Sequence, residues 1–483
     1  MARLPTLTFD RGTLILHPPP SGKAWIDYAT WDDRIERFRI PAFYYHQLVR
    51  ALKTEGVVFL DRAADVEALP LVPALEMTPY PHQEQALRAW QQGGHAGIVV
   101  LPTGAGKTYL AQLAMQTMGH RTLVVVPTLD LMHQWYAHLL AAFPDTAVGL
   151  LGGGAHDDTP LLVATYDSAA IYAETLGNRY PFIIFDECHH LPSDFTRVIA
   201  EYALAPYRLG LTATPERNDG KHVDLKALIG PVVHRTAPET LAGGVLARHR
   251  VMTLKVRLSQ RERQRYDTLI QERDAFLRRS GIHLGSLTGW QLFVRASARS
   301  RAGRSAMLAH REARAIAFGT DGKLRVLADL LAAHYPDRTL VFTDDNATVY
   351  RISQTFLIPA ITHQTHVKER HDILSQFRRG AYPVIVTSRV LNEGVDVPEA
   401  RIAIVLSGSG SRREYTQRLG RILRQTEDKL ALLYEVIAEA TSEEYTARRR
   451  RGDASRPYEQ LPLSGFDSLA AEGTGEACYQ PSC

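Results

Sequence analysis

The stretch Val99-Val100-Leu101-Pro102-Thr103-Gly104-Ala105-Gly106-Lys107-Thr108 constrains this chain more than any other. It reads as a buried strand that runs into a glycine turn and then a helix over Tyr109 to Met118. Glycines let backbone N–H groups curl around a phosphate chain without Cβ clashes. Thr103, Gly104, Ala105 and Gly106 are the candidate cradle. Lys107 is spaced to reach the β- and γ-phosphates, and the Thr108 hydroxyl to bind Mg²⁺. The helix that follows turns its positive end toward the anion. Leu101 departs from the strict motif, which has its first Gly there. The bland reading is a glycine turn between a strand and a helix.

A second segment bears on that choice. Asp186-Glu187-Cys188-His189-His190 follows the apolar run Phe182-Ile183-Ile184-Phe185, which reads as a buried parallel strand. Acids at the carboxyl end of such a strand lie where ligands bind in open α/β sheets. Asp186 can hold Mg²⁺ and Glu187 can orient and deprotonate the attacking water. Either motif alone has a structural reading as a turn; together they point to ATP hydrolysis.

Length and composition set limits. A chain of 483 residues suggests about three or four domains. The net charge is only +4, so any basic surface must be local. The three cysteines, Cys188, Cys478 and Cys483, have no paired Cys-x-x-Cys spacing and support neither a disulfide framework nor a zinc site. The N-terminal residues lack an apolar signal core, and no apolar run approaches the roughly 20 residues needed to span a bilayer. A cytoplasmic location away from any membrane is expected.

Five regions follow along the chain. Residues 1–75 read as a small α+β unit, with two short strands about Asp10-Arg11-Gly12, a helix over Phe43 to Leu52 and a last strand at Gly56 to Leu60. Residues 76–240 alternate strand and helix signals, as a parallel α/β sheet requires. The expected strands are Ile98 to Leu101, Thr122 to Pro127, Leu161 to Thr165, Phe182 to Phe185 and Tyr207 to Leu211. Residues 245–317 form a basic insert: from Arg248 to Arg314 there are sixteen Arg and Lys against five acids. Ser259-Gln260-Arg261-Glu262 is a capping box, with Tyr266, Leu269, Ile270 and Leu277 on one face of the helix it starts. A second basic run carries Arg295, Arg299, Arg301 and Arg304. Such runs are usually solvated faces, but so lopsided a segment in a near-neutral chain favours DNA binding.

Residues 318–447 repeat the alternation without a phosphate loop, with strand runs at Leu340 to Phe342, Val384 to Val386 and Ile402 to Leu406. ATP would then bind between two halves. Arg421 and Arg424, three apart on one helix face, are candidate arginine fingers, and Gln417 could hold the water or the phosphate. Residues 448–483 lack periodicity and read as a flexible tail behind a basic knot, Arg448 to Arg451.

The order of these segments resembles a superfamily 2 DExH helicase. It rests on Thr103 to Thr108, Asp186 to His189, Leu211-Thr212-Ala213-Thr214-Pro215, Val386 through Asp396, and Gln417 to Arg424. Asp-Glu-Cys-His-His, Thr214 to Asp219, the basic insert and an N-terminal segment with Trp31-Asp32 and Arg39-Ile40-Pro41-Ala42 narrow the resemblance to XPB-like DNA repair helicases. The resemblance implies two RecA-like domains, a damage-recognition-like N-terminal domain and a DNA-gripping helical thumb. It implies that Gln83 in Tyr80-Pro81-His82-Gln83 binds adenine, and that Gly394 and Asp396 also face the nucleotide. DNA, single-stranded or at a duplex fork, would run past Thr128, Thr165, Thr343, Thr387 and Ser388 at strand ends. Arg217, Asn218 and Asp219 match a trio near the strand-separation point, with Asn218 where the family usually carries Glu, so unwinding would be weaker than ATPase. Unwinding would run 3′ to 5′, in DNA repair, with room for a nuclease partner. A duplex translocase that does not separate strands, an RNA helicase and a non-enzymatic DNA-binding scaffold stay open.

Overall fold

The computed structural model describes residues 4–479 except 24, 65–67, 76, 218, 242–247, 286–287, 389–399, 409–410, 412–414, 416–417, 419–429, 452–459 and 463–474. The chain divides into two compact units near residue 241.

The first unit opens with a hairpin, Thr6–Asp10 against Thr13–His17. Its two-residue turn has Arg11 at φ 48° and Gly12 at φ 77°, the left-handed pair that matches strand twist. A Cβ on Gly12 would sit 2.4 Å from the Tyr202 ring, so glycine also lets the turn seat on its neighbour. Strands Thr30–Asp32, Arg37–Pro41 and Leu60–Asp61 complete a five-stranded sheet. Leu7, Leu14, Leu16 and Ile40 line its core, closed by Leu48 and Leu52 of the helix Tyr45–Thr54. The last strand is shorter than expected, because only Leu60 and Asp61 reach the register of Thr6 and Leu7. This module rests on the domain that follows: Leu204 joins its core, His46 Nε2 meets the Leu204 carbonyl at 3.2 Å, and Asn178 Nδ2 donates to the Ala63 carbonyl at 3.2 Å.

The next eight strands form one sheet, ordered Val232–Arg235, Ala96–Val100, Tyr207–Thr212, Phe182–Asp186, Thr122–Val126, Leu161–Thr165, Val148–Gly152, Ala155–His156. All pair in parallel except the final hairpin. The central runs are buried on both faces, which is why they read as continuous Val, Ile and Leu. The five expected strands are all present; Val148–Gly152, Ala155–His156 and Val232–Arg235 are additional. Those three are short or carry glycine or polar residues and lie toward the sheet's margins, so their apolar signal is weak.

The second unit holds another eight-stranded sheet, ordered Ala360–Ile361, Val384–Thr387, Thr339–Phe342, Ile402–Val405, Leu430–Ala438, Arg248–Val256, Gly475–Tyr479, Gln460–Pro462. Two expectations change here. Arg248–Val256, read as the start of the basic insert, is a sheet strand that pairs in parallel with Leu430–Ala438 over nine residues. Its partner is about 180 residues away in sequence, so local pattern reveals neither. The expected featureless tail contains two short strands, and Ser442–Arg451 is a helix.

The insert itself is three helices, Gln260–Arg279, Gly289–Arg299 and Arg301–Gly319. The capping box forms: Ser259 Oγ accepts from Glu262 N, and Glu262 Oε2 accepts from Ser259 N. Tyr266 and Leu269 pack on a stripe of small residues, Ala309, Ala313 and Ala317, which lets the helices approach closely.

Candidate functional site

Strand register assembles the site. Val100 lies opposite Thr212, and Leu211 opposite Asp186. The phosphate loop, the Thr212 turn and the acidic pair therefore leave three adjacent strands on one edge, where parallel sheets bind ligands. Leu101 N donates to the Thr212 carbonyl at 3.0 Å, tying the first two together.

In the loop, Gly104 and Gly106 take φ 87° and 78°, and the helix Lys107–Met118 starts at once. Lys107 Nζ donates to the Leu101 carbonyl at 3.4 Å, a long bond that a phosphate oxygen can replace. Thr103 Oγ1 is buried and has no hydrogen-bond partner among the described residues, a group a phosphate would satisfy. The cradle thus fits a nucleoside triphosphate.

Asp186 is buried at the end of its strand. Its Oδ2 accepts from Trp135 Nε1 at 2.8 Å and its Oδ1 from Glu187 N at 3.0 Å. Burial, and then the Glu187 carboxylate beside it, push its pKa up to about 6, while Lys107 draws it down. A divalent cation would remove that penalty, and Mg²⁺ needs only one or two protein ligands besides phosphates and water. Asp186 and Thr108 fit that need.

Glu187 has φ 46° and ψ 53°, a left-handed conformation unusual for a non-glycine residue. It brings Oε2 to 3.4 Å from Thr212 Oγ1 and 3.5 Å from His189 Nδ1. His189 Nδ1 lies 3.2 Å from Thr212 Oγ1, which also accepts from Thr214 N at 3.1 Å. The acidic pair, the histidine and the two threonines are one hydrogen-bonded set. Arg217 joins it, donating to the His189 carbonyl at 2.5 Å and holding Asp219 through two bonds at 2.9 and 2.7 Å.

Several residues expected at the nucleotide or the DNA also make bonds within the protein. The Gln83 Oε1 accepts from Tyr80 N at 2.9 Å, and its Nε2 lies 3.3 Å from the Ala105 and Gly106 carbonyls. These bonds tie the start of its helix to the phosphate loop. Thr128 and Thr165 cap helices, accepting from Leu131 N and Ser168 N at 3.2 Å. Thr343 and Thr387 are fully buried and Ser388 nearly so. Thr343 Oγ1 donates to the Asp345 carbonyl at 2.9 Å. Of these five residues Thr165, Thr343, Thr387 and Ser388 are buried, and Thr128 is partly exposed. The arginines behave differently: Arg295, Arg299, Arg301 and Arg304 are all exposed, and among the described residues no carboxylate lies within ion-pair distance of them. Gln417, Arg421, Arg424, Gly394, Asp396 and Asn218 lie outside the described residues.

Two contributors escaped sequence reading. Trp135 donates to Asp186, and Tyr166 Oη donates to the Asp186 carbonyl at 3.1 Å. Both lie in helices whose apolar spacing explains an aromatic residue as core, so no local signal marks them.

Known proteins share this arrangement. Residues 7–63 match the Xeroderma pigmentosum group B helicase damage recognition domain, 76–217 the res subunit of type III restriction enzymes, and 322–426 the helicase conserved C-terminal domain. A DNA 3'-5' translocase XPB2 of Sulfurisphaera tokodaii is 42% identical over 422 residues, 87% of this chain and 95% of that one. A DNA 3'-5' helicase XPB of Mycobacterium tuberculosis is 30% identical over 402 residues, 80% of this chain and 66% of that one. A putative DNA 3'-5' helicase Rad25 of Halobacterium salinarum is 30% identical over 387 residues, and this chain spans only 58% of its length. The Pyrococcus furiosus Hef helicase domain shares the fold, with TM-score 0.54 over 77% of this chain and 98% of that one at 18% identity. Among the described residues no helix is long and apolar enough to cross a membrane. With a relative this similar over nearly its whole length, and the phosphate loop and acidic pair on strands that flank Tyr207–Thr212, the chain belongs to the XPB-like family of superfamily 2 helicases.

Proposed function

We propose that this chain is an ATP-driven 3′–5′ DNA motor that acts in DNA repair. The observation that carries it is the bonded set Glu187–His189–Thr212–Thr214 beside Lys107 and Asp186. In this reading Lys107 neutralises the transferred phosphoryl group, and Thr108 and Asp186 hold Mg²⁺. Glu187 takes the proton of the attacking water. Gln417, Arg421 and Arg424 supply the second half of the ATP site, with Gly394 and Asp396 near it. Thr212 senses the nucleotide through Glu187 and passes its state to Thr214 and, through His189, to Arg217. The exposed arginines of the insert hold the DNA backbone without reading sequence.

A second reading, translocation along duplex DNA without strand separation, has a specific motive. Asn218 stands where the resemblance leads one to expect Glu, and the 42% identical relative is named a translocase. The decisive experiment compares ATP turnover with single-stranded DNA, duplex DNA and RNA, then scores forked-duplex unwinding and triplex displacement. DNA-stimulated turnover with unwinding supports the helicase. Triplex displacement without unwinding supports the translocase. Turnover stimulated by RNA alone, or by neither nucleic acid, sinks both.

A further inference from the structure

We propose that Trp290 is a stacking platform for a base of single-stranded DNA. The inference rests on the reading that the exposed arginines of the insert hold the DNA backbone. Trp290 opens the helix Gly289–Arg299 and is 49% exposed, although its ring is mostly apolar surface. Val294, one turn on along the same side of that helix, is exposed as well. The ring is nevertheless held in place. Its centre lies 5.9 Å from that of Phe293, which is fully buried, and 5.4 Å from that of His310 on the helix Arg301–Gly319. The planes are inclined by 72° and 53°, so neither neighbour lies parallel to the indole. Among the described residues no ring takes the stacking place on it. Burial, and then Arg273 and Arg314 nearby, push the His310 pKa down to about 4, so its ring is an uncharged support at neutral pH.

Position and charge select the occupant. His310 stands one helical turn before Arg314. Arg314 pairs with Asp344, just past the strand Thr339–Phe342. The insert is therefore fixed at the carboxyl edge of the second unit's sheet, the edge where open α/β sheets bind ligands. The indole on His310 lies about one turn of helix from that anchor. Arg295 and Arg299 follow Trp290 on its own helix, and Arg301, Arg304 and Arg311 are exposed on the helix it leans against. Among the described residues none of these five has a carboxylate within ion-pair distance. Exposed cations beside an uncovered aromatic face are the chemistry of single-strand binding. The cations track the phosphates, and the ring stacks a base whatever its identity. A duplex offers no such base, because each is already stacked on its neighbours.

The test measures the affinity of the full chain for a single-stranded oligothymidylate, an abasic strand of the same length and a blunt duplex, over a range of salt. Trp290→Leu keeps an apolar side chain against Phe293 and His310 and removes the stacking face. It should bind the oligothymidylate about fivefold to a hundredfold more weakly than the parent, the scale of one lost base–aromatic stack. The salt slope should not change, because indole neutralises no phosphate. Affinity for the abasic strand and for the duplex should stay within about twofold of the parent's, since neither offers a base to stack. Parental affinity for the oligothymidylate in a folded Trp290→Leu overturns the proposal. So does an equal loss on all three probes, which would make the ring a backbone contact. Should Trp290→Leu not fold, Trp290→Phe decides. Loss of the quenching of tryptophan fluorescence by the oligothymidylate supports the stack, and undiminished quenching overturns it. The joint change of Arg295, Arg299, Arg301 and Arg304 to Ala separates the two readings. Unchanged affinity and salt slope there overturn the backbone grip. Weakened binding there, beside parental binding in Trp290→Leu, overturns only the stack.

Discussion

At the scale of single residues, the site depends on side chains held where they are costly. Asp186 is a carboxylate buried next to another acid, and Glu187 sits in a left-handed backbone conformation. Such strain persists where surrounding bonds over-determine it, here those to Thr212 and His189. Glu187→Gln should keep ATP and Mg²⁺ binding while turnover falls at least about a hundredfold, because an amide cannot take the proton from water. Equal losses in nucleotide affinity and turnover would reassign Glu187 to a structural role. Lys107→Ala should reduce hydrolysis by about a hundredfold to a thousandfold, the scale of losing a charge-stabilising donor. Hydrolysis near the parental rate would show that the phosphate loop is misassigned. The residues themselves were legible in the sequence. The bonds of Trp135 to Asp186 and of Gln83 to the loop were not, because each joins groups more than 20 residues apart.

At the scale of elements, the basic insert is the clearest case of pattern turned into structure. The Ser259 cap, the apolar face of the first helix and its end near Gly281 are all found. The small residues between the later arginines also have a physical purpose: they are the packing stripe that lets Arg301–Gly319 press against Gln260–Arg279. That packing leaves Arg295, Arg299, Arg301 and Arg304 facing water. Changing all four to Ala should weaken DNA binding and flatten its salt dependence, by about 0.7 to 0.9 in slope for each phosphate the variant no longer neutralises. Basal ATPase without DNA should stay at the parental level. Unchanged affinity and salt slope in a folded variant would leave these helices as a solvated face.

At the scale of the whole molecule, the first unit is held together by an unusual hub. Arg208 is buried with its guanidinium donating to the carbonyls of Ala200, Ala203, Ala205 and Leu228 at 2.6 to 3.1 Å. Phe43 of the N-terminal module lies 5.5 Å from it. Burial lowers its pKa to about 10, so it stays charged at neutral pH. Arg208→Leu leaves four buried carbonyls without this donor, at about 1–3 kcal/mol for each that finds no replacement. We expect a loss of about 3 kcal/mol or more in the unfolding of this unit, read by chemical denaturation. A loss below about 0.5 kcal/mol, as for an ordinary surface change, would show that water replaces the guanidinium.

The sequence by itself determined the fold class, the phosphate loop, the acidic pair and the helical character of the insert. Each is written within a window of about ten to twenty residues, as a burial period, a glycine turn or a cap. Tertiary structure alone decided that Arg248–Val256 and Leu430–Ala438 are partners, that Thr343 and Thr387 are fully buried, and that Arg450 is core rather than surface. The physical reason is the same in each case. A strand's pairing and a charged side chain's burial are set by what the chain brings against them from far away, and no local period records that partner.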